Sequence, residues 1–439
     1  MLKSTALEII DENYTKERLV ALPRDVEIKI PEGQKAVAII GPRRAGKTYL
    51  LFHLARELGK TSEKNQIMYL NLEDERLAPL TVSDMNVLMK TYYEKYPENK
   101  KKKLHLFLDE VQNLEGWERF TRGAMDKENI QIYLTGSSSR LLAKEIATSM
   151  RGRSLSYYLL PFSFREFLSA KNISVQHADS PERKAVILNA LGEYMEFGGF
   201  PEVVIQSGKD MKLRILRDYT EVMLLKDIVE RHGIKNTVAL RALFNTLLHS
   251  FSKEFSANVF YNRLKSQGIK IGKNTLYSYI QHFEDSFAIL ALRKFSYKPF
   301  ETKQSIPKIY SIDTGYTAIS GENFSPNSGR LLENAAALEM LRRKFGNPLM
   351  EFYYWQDAAK KEVDFVVKEG TKVSALMQVC YDVEDFQTKE REIKALLKAG
   401  KELRCDNLTI LTWDYENEEK TGGKRIAYVP AWKWLLGMQ

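Results

Sequence analysis

Apolar and polar positions alternate with two different periods along the first 160 residues. Short apolar runs at 36–40, 66–72, 104–109, 130–134 and 155–160 have strand length, while 49–58 and 77–100 carry helical spacing. Strands interleaved with helices predict a parallel sheet. Residues 1–30 mix helical and extended patterns and read as a lead-in packed on this sheet. From 211 to 255 the spacing is helical. Two more helices are predicted at 256–267 and 273–285 around a turn at 268–272, followed by strands at 288–295 and 308–312. Leu276, Ile280 and Phe283 fall at i, i+4 and i+7, so the second of these helices has one apolar face. Past 325 the order is helix (329–343), three strands (351–356, 362–367, 374–380), helix (389–398), strand, strand.

The first strand runs directly into Gly41, Pro42, Arg43, Arg44, Ala45, Gly46, Lys47 and Thr48, with Tyr49 opening the helix behind it. Strand, GxxxxGK[ST], helix is the order a phosphate-binding loop requires. Glycines let the backbone turn tightly, so its N–H groups and the helix N-terminus face phosphate oxygens. Lys47 is expected to reach the β and γ phosphates and Thr48 to offer its hydroxyl to Mg²⁺. ATP and Mg²⁺ are the cofactors this implies. The strand at 104–109 ends in Asp109 and Glu110, the Walker B arrangement. Asp109 is expected to hold Mg²⁺ through water or Thr48, and Glu110 to orient and deprotonate the attacking water. A carboxylate in that place argues for hydrolysis rather than passive binding.

The strand at 130–134 leads into Thr135, Gly136, Ser137 and Ser138. Ser137 or Ser138 is the candidate for sensing the γ phosphate, against the alternative of a helix cap. Arg151 and Arg153 are candidates for stabilising transition-state charge, against the alternative of a structural salt bridge.

Composition narrows the setting. The chain has 439 residues, room for two to four domains, with 44% hydrophobic and 28% charged residues as in ordinary globular proteins. A net charge of +9 favours an anionic partner such as nucleic acid. Cys380 and Cys405 are the only cysteines and make no disulfide framework, which suits a reducing cytoplasm. The six histidines do not cluster with them, so no zinc motif is visible. No apolar run approaches the roughly 20 residues that span a bilayer, so no membrane partner is expected.

Gly41–Thr48, Tyr69-Leu-Asn-Leu-Glu-Asp74, Leu106-Phe-Leu-Asp-Glu110, Leu134-Thr-Gly-Ser-Ser138, Arg151-Gly-Arg153 with Pro161-Phe-Ser-Phe, and Phe197-Gly-Gly-Phe-Pro201 together resemble an archaeal and bacterial family of AAA+ ATPases. Members carry a C-terminal region of unknown function. The resemblance implies an α/β P-loop domain of the additional-strand, catalytic-glutamate group over 1–205, with the Walker B strand beside the P-loop strand and the Phe197–Pro201 turn closing this half. The family's Tyr…Arg-Asp run reads Lys226-Asp227 here, and Asp227 with Arg231 is expected to form a surface ion pair.

For 206–315 the helix–turn–helix and hairpin order resembles a winged helix. Lys273, Asn274, Ser278 and Gln281 on its free face are candidates for DNA contact in a major groove, with a packing module as the alternative. For 316–439 the order, with Glu333 on the helix and Asp364 on the second strand, resembles a restriction-endonuclease-like PD-(D/E)xK fold. Such a nuclease carries a third acid and a lysine on the third strand. This chain has Gln378 and Cys380 there. Gln378 still has a carbonyl oxygen for a metal, Cys380 cannot replace the lysine's charge, and Lys394 is the candidate to reach in from the next helix. Trp413, Trp432 and Trp434 are read as core. The expected function is Mg²⁺-dependent ATP hydrolysis coupled to binding or remodelling DNA. A nucleotide-regulated metal-dependent nuclease and a nucleotide-switched protein-interaction or defence ATPase are the rivals. Rings are common among such ATPases, so a homo-oligomer is in view.

Overall fold

A computed structural model describes residues 1–15, 22–31, 33–136, 146, 148–319 and 328–438. The chain divides into two compact units, 1–159 and 160–439.

The first unit is built on five parallel strands: β1 (Ala36–Ile40), β2 (Ile67–Asn71), β3 (Leu104–Asp109), β4 (Ile130–Thr135) and β5 (Ser154–Tyr158), in spatial order β2-β3-β4-β1-β5. Every residue of β1, β3 and β4 is buried. That is why these runs are continuously apolar rather than alternating. Phe107 and Tyr133 face each other across β3 and β4 with ring centroids 4.3 Å apart. Helix Lys47–Leu58 adds Leu50, Leu51 and Ala55 to the same core.

This order corrects the expectation that the Walker B strand lies beside the P-loop strand. β4 stands between them, pairing Val37 with Tyr133 on one side and Leu106 with Ile132 on the other. Parallel neighbours are joined by crossovers, and which crossover returns to which edge is not written in a strand's own residues.

The second unit opens with helices, among them Phe164–Ala170, Pro181–Phe197 and Lys209–Val222, the last continuing as the π-helical turn Met223–Glu230. Asp227 lies in that turn and is buried rather than at the surface, while Lys226 pairs with Glu230 at 2.9 Å. Helix Thr237–His249 is followed by β6 (Lys253–Glu254), helices Ala257–Ser266 and Lys273–Asp285, β7 (Ile289–Leu292) and β8 (Lys308–Ser311). The three strands form an antiparallel sheet with β8 in the middle. Leu276, Tyr279, Ile280 and Phe283 bury one face of helix Lys273–Asp285 against Leu243, Phe244 and Leu247.

Helix Ser328–Gly346 leads into β9 (Met350–Gln356), β10 (Glu362–Glu369), β11 (Lys372–Cys380), helix Phe386–Glu402, β12 (Leu408–Thr412) and the hairpin β13 (Asn417–Thr421) and β14 (Lys424–Pro430). They make a six-stranded sheet, β13-β14-β12-β11-β10-β9, in which β9, β10 and β11 are antiparallel and β11 runs parallel to β12. Trp432 and Trp434 are almost fully buried, whereas Trp413 is half-buried beside Tyr381.

The Phe197–Pro201 turn belongs to this second unit, and its glycines have a physical reason. Gly198 has φ +77°, and a Cβ on it would stand 1.6 Å from Asp313 Oδ1. The N–H groups of Gly199 and Gly315 donate to the Asp313 carboxylate at 2.8 and 2.9 Å. The turn is a cradle for a buried acid. Burial pushes the Asp313 carboxyl up to about 7, against the opposing pull of its two backbone donors.

Candidate active site

The loop between β1 and helix Lys47–Leu58 has little steric freedom. A Cβ at Gly41 would meet the Leu159 carbonyl oxygen at 1.9 Å, so only glycine fits where the loop leaves β1. Gly46 has φ +94° and turns the chain into the helix without a side-chain cap. The first-turn N–H groups are therefore left for an anion. Lys47 is buried, and its Nζ donates to the carbonyls of Gly41 and Pro42 at 3.1 and 3.2 Å. Arg24, in the lead-in, donates to the Ala45 carbonyl at 2.7 Å. Arg44 and Tyr49 are exposed and Arg43 is half-buried.

At the end of β3, Asp109 is buried and receives three hydroxyls. Thr48 Oγ1 and Tyr69 Oη each donate to Oδ2 at 2.7 Å, and Thr135 Oγ1 donates to Oδ1. Glu110 follows in the left-handed region at φ 56°, which turns its side chain away from the strand direction. Its N–H donates to Thr135 Oγ1 at 3.0 Å, and its carboxylate accepts from Gln112 Nε2 at 2.7 Å. Thr48, Asp109 and Glu110, read from separate stretches of sequence, thus meet at one strand end. Thr48 Oγ1 and the Asp109 carboxylate are hard oxygen donors within hydrogen-bond distance of each other, which fits an ion such as Mg²⁺ that keeps several of its waters.

Two members of this group were not among the sequence candidates. Thr135 is the last residue of β4, and the register that pairs Leu108 with Leu134 sets it level with Asp109. Tyr69 sits on β2, on the other side of β3, with its ring against Phe52 at 4.9 Å. The signal for Thr135 was its position at the strand end; for Tyr69 there was only its place in the Tyr69–Asp74 run. Ser137 and Ser138 lie outside the described residues.

Arg153 is in an exposed ion pair with Asp126. Arg151, at φ 51°, lines a cleft of about 470 Å³ with Arg119, Arg122, Glu118, Thr148 and Ser149.

In the second unit, Glu333 and Asp364 come together, joined by Glu362, around the ammonium of Lys308. The three carboxylates stand 2.7, 3.0 and 2.7 Å from Nζ in that order. Gln378 is one step away: its Oε1 accepts from the Asp364 N–H at 3.1 Å and its Nε2 donates to Glu392 at 2.5 Å. Lys394 does not reach in. It is exposed and pairs with Glu390 at 2.7 Å, because helix Phe386–Glu402 turns Glu392, Ile393, Ala395 and Leu396 inward instead. Burial, and then Glu392, push the Cys380 thiol up to about 11, so it stays neutral. Lys273, Asn274, Ser278 and Gln281 are all exposed along one face of their helix. No helix among the described residues is long and apolar enough to cross a membrane.

Residues 33–168 match an AAA domain family, 188–322 a domain of unknown function (DUF8612), and 328–434 another (DUF4143). The uncharacterized protein MJ1544 of Methanocaldococcus jannaschii is 39% identical over 435 residues, covering 98% of this chain and 94% of its own length. An uncharacterized protein of Haemophilus influenzae is 26% identical over 400 residues, 90% of this chain and 93% of that one. Among solved structures, a Walker-type ATPase of Pyrococcus abyssi is similar with a TM-score of 0.45 at 13% identity, covering 72% of this chain and 94% of its own. The match along nearly the whole length of the archaeal relative, with the AAA domain in front, decides the membership. The chain belongs to that archaeal and bacterial family of AAA-domain ATPases whose C-terminal region is a domain of unknown function.

Proposed function

We propose that the protein hydrolyses ATP with Mg²⁺ and uses the cycle to engage or remodel DNA. The observation that carries the hydrolytic half is the meeting of Thr48 and Asp109 at 2.7 Å with Glu110 next in the chain. Lys47 exchanges its two loop carbonyls for the β and γ phosphates, and the loop amides from Gly41 to Thr48 hold the rest of the chain of phosphates. Thr48 and Asp109 would hold the ion, which would supply charge neutralisation to the phosphates. Glu110 takes a proton from the attacking water, a role worth about 10²–10⁴ in rate. Arg151, facing a cleft rather than an ion pair, is the stronger of the two arginine candidates.

For the DNA half, we read 1–205 as the ATPase module, 206–315 as a winged helix and 316–439 as a nuclease-like α/β module that does not cut. The strand before the helix pair, the hairpin after it and the exposed Lys273, Asn274, Ser278 and Gln281 support the winged-helix reading. The order helix, β9, β10, β11, helix, β12 with β11 parallel to β12 supports the nuclease-like reading. A protein-switch role has its own supporting observation, the exposed Tyr297 and Phe300 on the β7–β8 connection, 67% and 69% accessible.

The test is ATP turnover with and without single-stranded, duplex and branched DNA, with Glu110→Gln as control. Turnover that DNA stimulates and Glu110→Gln abolishes supports the proposal. Turnover indifferent to every DNA moves the second unit to protein binding, and absence of turnover throughout sinks the hydrolytic reading.

A further inference from the structure

We propose that Lys308 is the resident cation of the Glu333–Asp364 cluster, standing where a divalent metal would be held and closing that site to metal and to a phosphodiester. The proposal rests on the nuclease-like reading of 316–439. It explains what becomes of the acids of such a fold when the third-strand lysine is missing.

The geometry is that of a filled site. An ammonium has three donors, and Lys308 Nζ faces three carboxylates: Glu333 from helix Ser328–Gly346, and Glu362 and Asp364 two residues apart on one face of β10. Further donors reach the same three carboxylates. Asp364 Oδ2 accepts from the Val379 N–H at 3.0 Å, Glu362 Oε2 from Gln356 Nε2 at 3.0 Å, and Glu333 Oε1 also from Tyr310 Oη at 2.7 Å. The Lys308 side chain is 2% exposed and that of Asp364 5%, while Glu362, 28% exposed, forms the rim of the cluster, so Nζ and not solvent fills the space between the acids.

The ammonium is also fixed from behind. Lys308 belongs to β8, the middle strand of its sheet, where it is level with Glu254 on one side and Leu292 on the other. Burial works against its charge, but Glu333, Tyr310, Asp364 and Glu362 outweigh it and hold Lys308 well above its ordinary range. One cation among three carboxylates leaves an excess of negative charge. Burial and the neighbouring Asp364 push the Glu333 carboxyl up, against the pull of Lys308 and Tyr310. The charge missing at Cys380 is therefore supplied from a strand of a different sheet, as a permanent counter-ion. With it seated, no group of three or more His, Cys, Asp or Glu among the described residues is arranged to hold a metal.

The experiment titrates Mn²⁺ into the nucleotide-free full chain, followed by electron paramagnetic resonance. An Asp109→Asn background keeps the nucleotide site from contributing. The chain with Lys308 intact is expected to show no Mn²⁺ that Asp364→Asn removes. Lys308→Ala, which frees the three carboxylates, is expected to gain about one Mn²⁺ per chain, lost again on adding Asp364→Asn. A Lys308→Ala chain that folds only when Mn²⁺ is supplied supports the proposal as well. It is overturned by Asp364-dependent Mn²⁺ in the chain with Lys308 intact. It is equally overturned by a folded Lys308→Ala chain that binds none, or one that stays unfolded at saturating Mn²⁺. Duplex cutting by the wild type that Asp364→Ala abolishes would overturn it too, together with the reading of the module as non-cutting, whereas the Mn²⁺ results alone overturn the Lys308 proposal and leave that reading standing.

Discussion

Thr48 Oγ1 and Tyr69 Oη donate to the same oxygen of Asp109, Oδ2, each at 2.7 Å. The threonine comes from the P-loop helix and the tyrosine from β2, so one carboxylate oxygen ties together the two sides of the strand that carries it. Were Thr48 to turn to an ion, Tyr69 on Oδ2 and Thr135 on Oδ1 would continue to aim Asp109.

Tyr69→Phe removes that bond and leaves the ring packed on Phe52. A single hydrogen bond to a charged group is worth about 1.5–3 kcal/mol. The variant is therefore expected to need roughly 10-fold more Mg²⁺ for half-maximal turnover. Its turnover at saturating Mg²⁺ should fall much less. A Mg²⁺ titration of turnover checks this, and an unchanged half-point would leave Tyr69 a packing residue only.

Arg151→Ala and Arg153→Ala separate the two arginine candidates. Arg153 is in an exposed pair with Asp126, which contributes about 0–1 kcal/mol to stability, so its loss should leave turnover within a few-fold. Arg151→Ala should lower turnover by about 10³ with ATP affinity nearly kept, as expected for a charge used in the transition state. Equal losses for both variants would remove the distinction.

Gly198→Ala places a Cβ 1.6 Å from Asp313 Oδ1 on a backbone at φ +77°. Such an overlap, added to the backbone strain, should cost about 3 kcal/mol or more. Denaturant unfolding followed in the second unit gives the value, and a loss below about 1 kcal/mol would show that the carboxylate moves aside easily.

Asp313 also predicts a pH dependence. Its folded value, about 7, lies above its ordinary value of 3.8, so between those limits the native state holds a proton that the unfolded chain has lost. Stability from this group is greatest below pH 3.8 and declines as pH rises through about 7. Asp313→Asn should be less stable, because its amide N–H₂ meets a backbone donor, yet its unfolding midpoint should fall less steeply than the wild type's from pH ~5 to ~7. Parallel curves would count against the assignment.

The nucleotide site was legible because its residues lie in short runs whose order along the chain is itself the signal. Gly41–Thr48 and Asp109–Glu110 each sit at the end of a strand, and the strand pattern alone aims them at one edge. What was not legible depends on neighbours in space. Thr135 joins Asp109 through the pairing of β3 with β4, and the place of β4 between β1 and β3 is a property of crossovers. Lys308 was hidden for the same reason. Its three partners come from two elements of another sheet's layer, so nothing near residue 308 announces them. The helix pair at 257–266 and 273–285 and the strands of the C-terminal sheet were readable from periodicity within a few residues at each end.

The tight fit at Gly41 has a mechanical consequence. Its Cα lies so close to the Leu159 carbonyl that no side chain fits between, and the Leu159 N–H is bonded to the Ile40 carbonyl at 2.7 Å. Leu159 is the last residue of the first unit, the point where the polypeptide departs for the second. A displacement of the loop root must push main chain directly against main chain there, with no side chain to yield in between. Leu159 thus holds the loop root through main-chain contact alone, before the chain runs on to residue 160.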